Sequence, residues 1–331
     1  AGRQENVPEQ DAVFVFPFPL FPDFRTMMYK VFVSILETFL IFGFGALAWR
    51  LRMIKTGDLG RLSRLTLDLF FPLLTFSTIT RNFDPDNLAE LWIMPVLGIA
   101  IMLIGAVIGH YLKRFLRDQT PARLGTFHHI CAINNYVFLP IIILQNVWGE
   151  RHVALLLLMN VGSTIGFWTI GVMTFTGGGS LGKALRSIFS INIAAVAAAL
   201  LVCFLGIPIP EPLAYSIRYL GDITVPFMLV VIGVALVHCF QGMLKGWFDM
   251  LYLSLVRLIA IPVVILLLLQ LLPLPPDVRE TTAVVALMPA ASSSVLVAKQ
   301  YGGDHGFAGQ AIIVTTILSL ITIPLLMKIF L

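Results

Sequence analysis

Long apolar runs dominate the chain, and its polar residues gather in short stretches between them. A helix rises 1.5 Å per residue, so about 20 mostly apolar residues cross the roughly 30 Å of hydrocarbon in a bilayer. Measured against that length, spans are predicted near 29–50, 62–80, 91–112, 125–147, 153–176, 186–206, 213–238, 250–272, 281–299 and 307–330. Four stretches are free of Asp, Glu, Lys and Arg for a full crossing: Leu91 to Leu112, Leu124 to Gly149, Val153 to Leu181 and Ser187 to Pro210. Proline and glycine punctuate the connections, at Pro85, Gly149, Gly177 to Gly179, Pro208 to Pro212, Pro273 to Pro276, Gly302 and Gly303. The fold class that follows is an all-α integral membrane protein of ten transmembrane helices. Residues 1–28 mix acids, prolines and phenylalanines without a basic start and apolar run, so they read as an irregular lead-in rather than a signal peptide.

Composition supports a lipid surround. The chain is 58% hydrophobic and 12% charged, where soluble domains carry about 25% charged residues. Too little polar surface remains to cover a sphere in water. No basic tract with interleaved aromatics is present, which excludes nucleic acid as a partner. Cys131, Cys203 and Cys239 stand at unrelated spacings in apolar stretches and indicate neither disulfides nor a metal site.

Charge orients the spans, because Lys and Arg collect on the cytoplasmic side. The first connection holds Arg50, Arg52, Lys55, Arg61 and Arg64, the third Lys113, Arg114, Arg117 and Arg123, and the fifth Lys183 and Arg186. The even connections balance their arginines with acids, as where Arg81 stands near Asp84, Asp86 and Glu90. This alternation places both termini outside, in what reads as a bacterial inner (plasma) membrane.

Two landmarks recur half a chain apart. Pro226 in span 7 lies 154 residues after Pro72 in span 2, and Pro289 in span 9 lies 149 residues after Pro140 in span 4. Two five-span halves, 29–176 and 177–331, account for both offsets. An odd number of spans per half forces opposite orientations, giving a five-plus-five inverted repeat of the kind that alternates access.

Spans 4 and 9 carry the candidate chemistry. Proline has no amide donor and clashes with the carbonyl four residues back, so each span is expected to break near its middle. Asn134, Asn135 and Tyr136 precede Pro140, and Ser292, Ser293 and Ser294 follow Pro289. Their amides and hydroxyls can satisfy freed backbone groups or line a polar cavity. Half-helix N-termini facing each other there present unpaired N–H groups suited to an anion. Glu37 in span 1 and Arg257 in span 8 are ionisable residues inside apolar spans, and so candidates for ion coupling or for a structural ion pair. Ser163 and Thr164 in span 5 offer oxygens to an ion, unless they bond back to their own helix. His128 and His129 have no third ligand at a useful spacing, so no metal and no cofactor is expected.

Several of these segments resemble the auxin efflux carrier family: ALMPAASSSVLVAKQYGGD (286–304) with VTTILSLITIPLL (314–326), LSRLTLDLFFPLLTFSTI (62–79), LGDITVPFMLVVIGVAL (220–236) and NYVFLP (135–140), where Val137 replaces the usual glycine. The resemblance implies ten helices in a five-plus-five inverted repeat, with spans 4 and 9 crossing at the substrate site. It further implies a dimerising scaffold of spans 1, 2, 6 and 7 and a mobile domain of spans 3–5 and 8–10. Carried over, the site comprises Asn134 or Asn135, Pro140, Pro289 and the following serines. Bile acid:sodium symporters share this architecture, but their sodium sites use a carboxylate in span 9, and this span 9 has none. The function expected is secondary transport of a small organic anion, a carboxylate or auxin-like acid, by an elevator-type motion, with proton or sodium coupling or neither. A non-transporting sensor is the alternative from another class. No nucleophile–base pair, carboxylate pair or phosphate loop marks an enzyme.

Overall fold

The computed structural model describes residues 24–83, 89–176, 190–237 and 246–331. Lys183, Arg186 and Cys239, used above, lie outside the described residues. The described chain is all-helical. Its helices are α1 (Phe24–Arg50), α2 (Leu59–Asn82), α3 (Ala89–Leu112), α4 (Pro121–Ala132), α5 (Phe138–Val147), α6 (Glu150–Phe175), α7 (Ile191–Leu205), α8 (Glu211–Val237), α9 (Trp247–Gln270), α10 (Pro276–Ala286), α11 (Ser294–Gln300) and α12 (His305–Phe330). Seven of the twelve are long and apolar enough to cross a membrane: α1, α2, α3, α6, α8, α9 and α12.

The difference between ten predicted spans and twelve helices lies in two places. Span 4 divides into α4 and α5, and span 9 into α10 and α11, each around an extended linker. Proline also shapes α2 and α9, though without breaking them. Pro72 and Pro262 each follow a π-helical turn, at Thr66–Phe70 and Val256–Ala260. There the wider turn absorbs the missing hydrogen bond and the ring's steric demand.

Outward faces are apolar, as a hydrocarbon surround requires. Phe32, Leu36, Leu40, Phe44 and Leu47 form an exposed stripe on α1, and Val96, Leu103 and Val107 one on α3. Between helices, small residues let backbones approach. A Cβ on Gly45 of α1 would overlap the Val230 carbonyl oxygen of α8, and one on Gly233 that of Phe42. Gly98 of α3 and Gly162 of α6 make the corresponding close contact between those two helices.

Helices α1, α2, α7 and α8 pack on one another, as do α3, α4 and α6, and α9 to α12. Polar bonds also join neighbouring helices: Thr75 Oγ1 of α2 donates to Asn192 Oδ1 of α7 (2.8 Å), and Asn146 Nδ2 of α5 to Ser34 Oγ of α1 (3.0 Å). At one end of the bundle, the buried Asp249 of α9 accepts the backbone N–H groups of Arg117 (2.8 Å) and Asp118 (3.1 Å), fixing the turn between α3 and α4. In that turn the backbone N–H of Thr120, then its hydroxyl, hold the Asp118 carboxyl below the usual carboxylate range.

Candidate functional site

The two interruptions meet. Helix α4 ends at Ala132 and the chain runs extended through 133–137 before α5 begins at Phe138. Helix α10 ends at Ala286, and 287–293 lead to α11. Where these linkers cross, Asn134 and Ala290 form an isolated antiparallel β-bridge, and the Asn135 N–H donates to the Pro289 carbonyl (2.8 Å). Backbone groups freed from both helices thus satisfy one another.

Each proline has a definite part in this geometry. Pro289 cannot donate to the carbonyl of Val285, four residues back. The Asn134 side chain does so instead, its Nδ2 donating to the Val285 oxygen. The side chain of one interrupted span therefore adds a donor to a carbonyl of the other, which also accepts the Met288 N–H (3.2 Å). Pro140 acts differently. It sits buried in the first turn of α5, where no backbone donor is needed, and its ring excludes a helical Tyr136 carbonyl, so the break lies upstream of the proline.

The candidates are distributed as follows. Asn134 is fully buried, and its Oδ1 meets no donor among the described residues. Asn135, Tyr136, Ser292 and Ser293 are half-buried along the two linkers. Ser294 opens α11, buried, with an Oγ that also lacks a partner among the described residues. Pro289 lies in the crossing itself. Outside it stand the others. Glu37 is exposed on α1 and accepts from Asn146 Nδ2 (3.2 Å). Ser163 packs near Gly98, and Thr164 donates back to the Asn160 carbonyl of its own helix (2.7 Å). His128 and His129 belong to no group of three or more metal-ligating side chains among the described residues; their rings bond the carbonyls of Ala106 and Gly171 (2.9 Å each), tying α4 to α3 and α6.

Arg257 does not pair with Glu37. From the π-helical turn of α9, fully buried, its guanidinium donates to Cys131 at the end of α4 (Nη1, 3.1 Å) and to Ala286 at the end of α10 (Nη2, 3.2 Å). It also donates to the Met288 carbonyl in the linker (Nε 3.1 Å, Nη2 3.0 Å). Sequence reasoning missed one further member. Thr315 of α12 accepts the Ala290 N–H (3.2 Å) and donates to the Ala311 carbonyl (2.6 Å). Its only signal was a threonine pair inside an apolar run.

Two surface cavities lie elsewhere. One of about 370 Å³ sits among α2, α7 and α8, lined in part by Ser77, Thr80 and Cys203. Another of about 490 Å³ adjoins Arg117, Arg123 and Trp247. At the end of the bundle where α6 begins, Glu150 pairs with Arg81 of α2 and Arg218 of α8 (3.9 Å), and accepts from Asn82 (3.3 Å). Arg151 meets Asp277 (3.4 Å) and His152 meets Glu280 (2.8 Å), linking α6 to α10.

The chain is similar to known proteins over most of its length. A membrane transport protein family model matches it twice, at residues 30–184 and 181–327. A protein of Methanocaldococcus jannaschii named "Uncharacterized transporter" is 23% identical over 273 residues, covering 80% of this chain and 87% of that one. A protein of Rhizobium meliloti named "Putative malonate transporter" is 25% identical over 275 residues, covering 80% and 85%. The double match and the apolar helices agree on an integral membrane transporter rather than an enzyme. The chain belongs to the membrane transport protein family, that of the auxin efflux carriers.

Proposed function

We propose that this transporter carries a small organic anion, a mono- or dicarboxylate, which it binds where the linkers of spans 4 and 9 cross. One observation carries the reading: two interrupted helices meet at depth and satisfy each other's backbone through Asn134, Asn135 and Pro289. Interrupted helices of this kind leave half-helix ends beside a ligand, where an anion meets unpaired N–H groups. The half-buried Asn135, Tyr136, Ser292 and Ser293 supply the neighbouring polar surface. The name of the distant Rhizobium relative supports a dicarboxylate. The family match to each half supports a five-plus-five inverted repeat. In this reading α1, α2, α7 and α8 form a scaffold that dimerises, and the remaining helices form the body that moves. Both termini lie outside.

A thermal-shift screen of the purified protein against mono- and dicarboxylates tests the site. A ligand at 100 times its Kd stabilises by about 2.7 kcal/mol. Asn135→Ala is expected to abolish that shift while leaving the unliganded protein within about 0.5 kcal/mol of wild type, since the side chain is half-buried. Full retention of the shift would remove Asn135 from the site, and no response to any carboxylate would end the anion reading.

A sodium-coupled carrier is the second reading, and one observation favours it. The buried Asn134 Oδ1 and Ser294 Oγ meet no partner among the described residues, and oxygens are what a hard cation takes. Running the same screen with and without sodium separates the two readings: sodium-independent ligand shifts exclude coupling of this kind.

Movement of the α6 body against α2 and α8 breaks the Arg81–Glu150 and Arg218–Glu150 pairs. Each exposed pair is worth about 0–1 kcal/mol. Glu150→Gln, which removes both, is therefore expected to change the initial rate of carboxylate uptake in proteoliposomes by up to about thirtyfold, with ligand affinity unaltered. An unchanged rate would show that these pairs do not separate in the rate-limiting step.

A further inference from the structure

Arg257 is a fully buried cation that takes part in none of the ion pairs among the described residues. An ion in that setting costs several kcal/mol unless something compensates it. Here the compensation is backbone. All four of its hydrogen bonds go to carbonyls, and two of those carbonyls, of Cys131 and Ala286, belong to the final turns of α4 and α10. The last carbonyls of a helix have no partner within it, and together they give that end a charge of about −0.5. Two such ends meet one guanidinium of charge +1, so the three sum to about zero. Arginine suits the position because its planar fork reaches two separate groups at once, which an ammonium on a flexible stem does not.

This cancellation has a consequence for the cargo. Without the cation, the crossing would hold two negative helix ends and repel an anion. With it, the field that remains is that of the N-terminal end of α5, which favours one. We propose that Arg257 is the positioning residue that sets the charge preference of the crossing. It cancels the C-terminal poles of α4 and α10 and clamps both ends in one geometry, without itself touching the cargo. This rests on the reading of the crossing as an anion site.

The test compares malonate with its uncharged diamide, malonamide, on purified protein by calorimetry or ligand-induced thermal shift. Arg257→Gln, which keeps a donor but no charge, is expected to bind malonate about tenfold or more weakly. Its malonamide affinity is expected to fall only by the several-fold that loss of the clamp costs, clearly less than malonate's, so the preference between the two shifts. A variant that keeps the wild-type preference overturns the proposal. So does one that loses both ligands equally, which marks a purely structural clamp. Arg257→Lys supplies a second arm should the glutamine variant not fold. Its charge is expected to preserve selectivity for malonate, while its shorter reach to one helix end weakens affinity several-fold; selectivity lost with the charge present overturns the electrostatic account. If the wild-type protein binds no carboxylate at all, the anion site falls first and this inference falls with it.

Discussion

Asn134→Leu is expected to cost about 0.5–1.5 kcal/mol of stability and to abolish carboxylate binding. Leucine is close in size to asparagine, so a cavity is not the cause. The loss is of one of two donors to the Val285 carbonyl, the other being the Met288 N–H (3.2 Å), and with it the bond that ties the two linkers through this side chain. The antiparallel bridge at Asn134 and Ala290 also depends on where that side chain holds the linker. Asn134→Asp, ionised, sets an acceptor against an acceptor and is expected to be at least as harmful. Unfolding midpoints in detergent, followed by the carboxylate screen on each folded variant, measure both effects. A leucine variant with wild-type stability and binding would show that the backbone bridge alone holds the crossing.

Gly162→Ala is expected to destabilise the protein, against the intrinsic preference of helices for alanine. In a helix interior alanine is favoured over glycine by about 1 kcal/mol. At Gly162, however, the added Cβ falls on the Pro95 carbonyl oxygen of α3, a backbone atom unable to turn aside. Overpacking of this kind costs about 1–3 kcal/mol or more, so the clash outweighs propensity. Gly43→Ala is the control, since a Cβ there meets nothing within 4 Å. It is expected to be neutral or stabilising by up to about 1 kcal/mol. Equal unfolding midpoints for the two variants would contradict the close approach of α3 and α6.

Much of this architecture was legible before any coordinates. Apolar length is a local property, so the observed helices match the predicted spans to within a few residues; span 8, for example, was read as 250–272 and is Trp247–Gln270. The interruptions of spans 4 and 9 were legible for the same reason, because proline acts on its own helix. Their extent was less so. The break in span 4 lies before Pro140, not around it, since a first-turn proline is compatible with α5. Asn134 and Asn135 were named as equivalent candidates, yet their roles differ: one is buried and bonded across the crossing, the other half-buried beside it.

By itself, the sequence determined that the chain lives in lipid, where its helices begin and end, and which two of them break. Those outcomes follow from side-chain transfer and backbone chemistry within about 20 neighbouring residues. Only the tertiary structure decided what the freed groups bond to. Asn134 meets a carbonyl 151 positions away, and Arg257 meets carbonyls 126, 29 and 31 positions away on two helices and a linker. Every buried carbonyl must find a donor, but any nearby donor will serve. The choice is therefore made by how the helices pack, and no local pattern records it.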